Sequence, residues 1–265
     1  MKIYISVDIE GVCGTTTWGE VTRGDGEYPE FQQQMTGEVK AACEGAFEAG
    51  ATEIIIKDAH DTARNIIAEQ LPESTRLIRG WSRHPYMMMQ ELDSSFDGAL
   101  MLGYHSYGGG AGNPLAHTMS NTRISSVAIN GKPASEFLIN SYTAMLAKVP
   151  VLFVSGDQEL CDHATQIIPE IESVAVKSGV GESTINIHPK TARQQIKEGV
   201  KKCLKGGNAK LQQLPDSFEV TVSYNDIRDS YKASFFPGAE LLGPREVGFE
   251  AKDYFDVLRF FLFNL

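Results

Sequence analysis

The sequence predicts an α/β fold, a largely parallel sheet flanked by helices, with a smaller α+β subdomain at its C-terminal end. Three observations predict it. Short apolar runs at 3–7, 53–56, 98–102 and 151–154 alternate with helical stretches, which is the rhythm of strands joined by crossover helices. The chain has 265 residues, enough for one large domain or two smaller ones sharing an interface. Past Val176 the rhythm changes: Phe218–Val222 and Glu246–Glu250 alternate like half-exposed strands. The expected division is therefore an α/β domain over 1–176 and a smaller α+β subdomain over 177–265, with the latter open to a role in oligomer contacts.

The elements follow in order. Ile3–Val7 reads as a buried strand ending in Asp8-Ile9-Glu10-Gly11. A turn-rich segment runs from Gly14 to about Pro29. A helix follows from about Glu30 to Ala49, closed by Gly50 just past its end. Glu53–Ile56 is the second strand, ending in Lys57-Asp58-Ala59-His60. Arg76–Ile78 is a short third strand, and Tyr86–Glu91 reads as helical. Gly98–Leu102 is the fourth strand and ends in Gly103-Tyr104-His105. Glycines and a proline between Tyr107 and Pro114 demand a loop. Ser125–Ile129, the Asn130-Gly131 turn and Lys132-Pro133 form a hairpin-like corner, followed by a helix from about Ser135 to Lys148. Val151–Val154 is a further strand, ending in Ser155-Gly156-Asp157. A long helix spans about Thr191–Leu204, ahead of Gly206-Gly207, and Asp253–Phe263 closes the chain as a strongly apolar helix suited to burial or a subunit contact.

Composition excludes several classes. Hydrophobic residues make up 42% and charged residues 22% of the chain, ordinary for a folded protein. Net charge is −10, from 24 basic and 34 acidic residues. An acidic surface repels nucleic acid and anionic lipid, and no Lys/Arg block offsets it. No stretch approaches the roughly 20 apolar residues of a membrane span. The first strand is too short for a secretory h-region and ends in acids. Cys13, Cys43, Cys161 and Cys203 are scattered with no C-x-x-C pair, which excludes a zinc finger and fits reduced thiols in a cytoplasmic protein.

The chemistry concentrates at strand ends. Ligands of open α/β sheets bind outside the carboxyl ends of the strands. Here three strands end in metal-ligand residue types: Asp8 and Glu10, Asp58 and His60, and His105. Residues two apart in extended chain share a face, so Asp8 pairs with Glu10 and Asp58 with His60. Neighbouring buried carboxylates repel unless a cation lies between them. A carboxylate/imidazole set without thiolate suits zinc, manganese or iron better than calcium. Glu136, at the start of a helix, adds a possible third carboxylate, and His117 a general acid/base, a stabiliser or a further ligand. Each residue alone has an ordinary alternative, since an Asp at a strand end forms turns or caps helices and a lone His is often a core residue. The combination carries the metal reading. No G-K-[ST] follows the glycine loop, so it is no phosphate cradle. His84 and His188 precede prolines and read as loop residues. Cys161-Asp162-His163 does not make a nucleophile pair, because adjacent helical residues diverge. Met87-Met88-Met89 reads as packing.

These residues resemble the D-aminopeptidase family of zinc metallopeptidases, typified by the dipeptide-operon type. The resemblance covers most of the chain and rests on Ser6–Gly11, Lys57–His60, Leu102–His105, His117 with Ser120, and Ile129–Pro133 followed by Glu136. Weaker echoes are Ser155–Asp157, Val174–Lys177 and Phe249–Asp253. The resemblance implies two zinc ions per subunit, with Asp8 bridging them and Glu10, His60, His105 and Glu136 completing the cage. It places His117 at the catalytic histidine and implies a homodecamer or other ring-shaped homo-oligomer. The expected function is removal of an N-terminal residue, a D-amino acid in the typical member, from short peptides or amino-acid amides through a metal-bridged hydroxide. Segments 15–30 and 106–114 depart most from the typical sequence and are expected to flank the substrate. Three alternatives stay open: a relative acting on L-peptides or other amides, a dimetal phosphoesterase using Arg64 or Arg123, and a non-catalytic metal-binding protein.

Overall fold

The computed structural model describes residues 1–206 and 210–265. The alternating runs fold as expected into a largely parallel sheet flanked by helices. Its strands are β1 (Lys2–Val7), β2 (Glu53–Asp58), β3 (Thr75–Ile78), β4 (Gly98–Tyr104), β7 (Val151–Asp157), β8 (Glu172–Val180) and β9 (Ser183–Asn186). They lie in the order β3-β2-β1-β4-β7-β8-β9, all parallel except β9, which runs antiparallel to β8. β1 is central and both faces are covered, so Ile3, Tyr4 and Ile5 are all fully buried.

The helices are α1 (Trp18–Val21), α2 (Tyr28–Glu48), α3 (Glu136–Leu146), α4 (Gln158–Ile167), α5 (Pro189–Gly206), α6 (Ile227–Ala233) and α7 (Tyr254–Asn264). α2 and α5 cover one face of the sheet. Val39, Cys43, Ile196 and Val200 meet Ile3, Ile5, Leu100 and Phe153 there. α2 ends where the sequence stops it, with Gly50 at φ 97° beyond the last turn. α3 and α4 cover the other face, through Phe137, Ala144, Leu160 and Ala164. Gly207, expected to follow the long helix, lies outside the described residues.

A second sheet is entirely antiparallel: β11 (Ala239–Gly243), β12 (Glu246–Ala251), β10 (Phe218–Tyr224), β5 (Ile124–Ile129) and β6 (Lys132–Pro133), in that order. Its core joins α7 to α3, with Leu138, Ile139, Val220, Val257 and Phe260 packed together. α3 thus lies between the two sheets, Phe137 facing the first and Ile139 the second. The division of residues between the two units is not sequential. The 124–133 hairpin joins the C-terminal strands, whereas residue 176 lies inside β8 and α5 packs on α2. Alternation in β5 marks a half-buried strand whichever sheet it joins, and only tertiary pairing selects the partner. The helical reading of Tyr86–Glu91 shortens to one 3₁₀ turn at Met87–Met89, whose three side chains are buried. Among the described residues no helix is long and apolar enough to cross a membrane.

Candidate metal centre

The chain runs β1, β2, β3 to one side of β1 and then crosses to β4 on the other. That reversal leaves a crevice at the carboxyl ends of β1 and β4, the place where open sheets bind ligands. Asp8 and Glu10 follow β1, His60 follows β2 and His105 follows β4. Glu136 enters from the first residue of α3, whose Ser135 caps it by accepting from the Leu138 amide. All five are buried, and the His117 ring stacks on His105 at 4.3 Å between centroids.

The two oxygens of Asp8 face different partners. Oδ1 lies 3.3 Å from His60 Nδ1, which is also 3.0 Å from Glu10 Oε2. Oδ2 lies 3.5 Å from His105 Nε2, which is 3.7 Å from Glu136 Oε2. Asp8–Glu10–His60 and Asp8–His105–Glu136 are each clusters whose ligand atoms lie within 4.8 Å of one another, as is Glu10–His105–His117. Glu10 Oε2 and His105 Nε2 are buried with no hydrogen bond. Unpaired buried polar atoms are costly, and cations satisfy this set.

Each histidine is held by its other nitrogen. His60 Nε2 donates to the Val21 carbonyl (2.8 Å), His105 Nδ1 to the Ser106 carbonyl (2.8 Å) and His117 Nδ1 to the Leu115 carbonyl (2.9 Å). That choice of tautomer leaves a lone pair on the ring nitrogen facing the carboxylates, the usual arrangement behind a metal-binding imidazole. The donor set and its orientation therefore fit divalent ions.

Electrostatics separates the histidines. Burial lowers the pKa of both His60 and His105, but the surrounding carboxylates outweigh it and raise both. His117 is pushed down by burial and by His105, so it favours the neutral form. Burial and the neighbouring Glu10 push the Asp8 carboxyl well up.

A ring of buried groups fixes the ligand-bearing backbone. Lys177 Nζ donates to the Glu10 carbonyl (2.5 Å) and to Thr15. Asn113, from the glycine loop, donates to the same carbonyl (2.9 Å) and to Asp157 (3.1 Å). Asp157 also accepts from the Ser106 amide and hydroxyl and caps α4. Sequence reasoning noted Asp157 and Lys177 only as weak echoes and missed Asn113. An Asn-Pro pair in a loop signals a turn, and nothing local to it points at Glu10.

Asp58 does not join the site. β2 ends at that residue, so strand alternation stops before His60. Its carboxylate accepts from the amides of Asn65 and Ile66 and from the Asn65 side chain, and so organises the following loop. Cys161 is buried and its thiol is pushed up to about 12 by burial, which disposes of it as a nucleophile.

A cavity of about 430 Å³ opens over the carboxylates. Trp18, Trp81, Met88 and Met119 line it with Asp61, Ser120 and Asn121. Among the described residues no Lys or Arg lines it. Arg123 is occupied by Asp229 and the C-terminal Leu265 carbonyl, and Arg64 is exposed elsewhere. Within this cavity, then, the described residues supply no cation for a phosphoryl group.

The family model described as D-aminopeptidase matches residues 1–263. A D-aminopeptidase from Bacillus subtilis (strain 168) is 32% identical over 260 residues, covering 96% of this chain and 92% of its own. The solved structure of the Zn-dependent D-aminopeptidase DppA from Bacillus subtilis, a self-compartmentalizing protease, superposes with a TM-score of 0.93 at 29% identity, covering 99% of this chain and 96% of that one. With a crevice of clustered carboxylates and imidazoles at the expected strand ends, and a family match along nearly the whole chain, this protein belongs to the D-aminopeptidase family.

Proposed function

We propose that this protein is a zinc-dependent aminopeptidase that releases the N-terminal residue, in the D configuration, from short peptides or amino-acid amides. The observation that carries the reading is the sharing of Asp8 between two ligand clusters, one oxygen turned to each. Asp8 would bridge two zinc ions, Glu10 and His60 would serve one, and His105 and Glu136 the other. The zinc-dependent relative supports the choice of metal. Bound there, the metal pair supplies Lewis-acid polarisation of the scissile carbonyl and a water acidified toward neutrality.

The chain's own residues do the rest. Trp18, Trp81 and Met119 wall the crevice beside the carboxylates. His117, held neutral with Nε2 3.7 Å from Glu136 Oε1, is placed to accept a proton at that nitrogen and pass it to the leaving amine. Met119 donates its amide to Glu136 Oε1 (2.7 Å), which fixes the carboxylate beside that ring.

A ring-shaped homo-oligomer, a decamer in the typical case, fits the self-compartmentalizing relative. Exposed large apolar side chains support contacts through 177–265: apart from Met1 and Trp18 they lie beyond residue 176, Tyr231, Phe235, Leu242 and Phe263 among them. Four free cysteines support a reducing, cytoplasmic setting.

The test is a screen of zinc-reconstituted protein against D- and L-aminoacyl amides, short peptides and a phosphoester. Turnover of D-aminoacyl substrates is expected. Hydrolysis of the phosphoester alone would refute the reading, and preference for L-substrates would refute the assigned handedness.

A further inference from the structure

The metal-centre cavity has four carboxylates in its lining: Asp8, Glu10, Glu136 and Asp61. The first three belong to the ligand clusters and Asp61 does not. Two divalent ions more than neutralise three carboxylates, so Asp61 is the acid left over to meet a substrate cation. Its side chain has no hydrogen bond or ion pair among the described residues. Its backbone is nonetheless fixed: the Trp81 indole donates to the Asp61 carbonyl (2.7 Å). Trp81 is pinned in turn by Lys57, whose ammonium lies 4.0 Å over its ring and donates to Gly80. Asp61 is thus a free carboxylate on a rigid wall of the crevice.

A second cavity of about 190 Å³ adjoins the first. The two share Trp81, Met119 and Ser120 as lining residues. The second is mostly apolar, with Met87, Phe261 and Leu262, and among the described residues Arg83 is the one Lys or Arg in its wall. The Arg83 guanidinium has no partner among the described residues. The C-terminal Leu265 also borders this cavity, but its carbonyl is held by Arg123 (2.7 Å) rather than by Arg83. Two adjoining cavities therefore carry an uncommitted carboxylate beside the metal ligands and an uncommitted guanidinium in the wall of the second. A peptide with free ends carries the complementary pair of charges, in the order an aminopeptidase requires.

We propose that Asp61 holds the substrate's α-ammonium and Arg83 its terminal carboxylate, which makes the protein selective for short peptides with both ends free over blocked ones. The inference rests on the aminopeptidase reading above. A charge-assisted contact of this kind is worth about 10- to 100-fold in binding. It also explains why the mouth is bipolar although the chain as a whole is acidic.

The test uses the full-length zinc-loaded enzyme and dialanine of whichever handedness the wild type turns over, as free acid and as C-terminal amide. The wild type is expected to prefer the free acid by about 10-fold or more in kcat/KM. Arg83→Gln should collapse that ratio toward one. Asp61→Asn should raise KM about 10-fold for both substrates with a smaller change in kcat and full zinc content. Calorimetric Kd values for a ketomethylene isostere of dialanine, with and without its carboxylate, should follow the same pattern. An acid-to-amide ratio unaltered by Arg83→Gln overturns the carboxylate half. An unaltered KM in Asp61→Asn overturns the ammonium half. Absence of peptide-bond hydrolysis of both substrates by the wild type refutes the aminopeptidase reading instead, and isostere binding then still decides whether the two residues recognise peptide ends.

Discussion

Gly11 ties the fold to the candidate metal centre through the close approach of the β1 and β4 ends. It follows Glu10 directly, and its amide donates to the Gly103 carbonyl (2.8 Å). A Cβ built on Gly11 would lie 1.6 Å from the Tyr104 carbonyl oxygen and 2.5 Å from its carbon. An ordinary carbon-to-oxygen approach is about 3.3 Å, so Gly11→Ala forces a displacement of roughly 1.7 Å. Neither side can yield alone. Glu10 precedes the clash on one strand end, and His105 follows it on the other. A misplacement of about 1 Å at reacting groups can cost on the order of 100-fold in rate. Gly11→Ala should therefore lower kcat/KM by about 100-fold or more and reduce zinc content. Overpacking of this kind costs about 1–3 kcal/mol, a fall in melting temperature of roughly 2–12 °C. Gly26→Ala is the control, because its Cβ would meet nothing within 4 Å. The measurements are steady-state kinetics, zinc per chain by elemental analysis, and thermal melting. A Gly11→Ala protein with full zinc and turnover within about threefold of wild type would show that the β1–β4 approach does not set the ligand geometry.

His117→Ala is expected to leave zinc content intact while activity falls by about 100-fold or more; near-normal turnover in kinetic assays would remove its proton-transfer role. Asp157→Ala takes away the acceptor for Ser106 and Asn113 and the cap of α4. It should cost on the order of 3 kcal/mol in urea unfolding and weaken zinc binding by about 10-fold through the His105 contact to Ser106. Glu38 is buried, one oxygen unpaired, and burial pushes its pKa up to about 7. The folded state thus prefers the protonated acid, so this stability is full below about pH 4.5 and is lost as pH rises through about 7. Glu38→Gln should abolish that slope, on the order of 3 kcal/mol, in melts from pH 4.5 to 8; an unchanged slope would assign it to other groups.

Much of the candidate site is legible in the chain because its candidate ligands sit where local pattern reports them. Asp8, Glu10, His60 and His105 all follow apolar strands, and strand ends of an open parallel sheet converge by topology. His117 and Glu136 lie off the strands, and their placement needed the resemblance to known metallopeptidases. Asp58 looked equivalent to Asp8 in sequence. The difference between them is register: Asp58 pairs with Val7, one residue behind Asp8, so its side chain turns to the opposite face, and no periodicity marks that offset.

By itself, then, the sequence determined the strand-and-helix rhythm, the acidic surface and the carboxylate–imidazole character of the crevice, since these depend on side-chain type and short-range spacing. Tertiary structure alone decided which sheet the 124–133 hairpin joins, that Lys177 and Asn113 both brace the Glu10 carbonyl, and that Asp61 and Arg83 border adjoining cavities. Those facts join residues far apart along the chain. Forming those contacts costs the entropy of closing the loops between the residues, and no local pattern records which loops close.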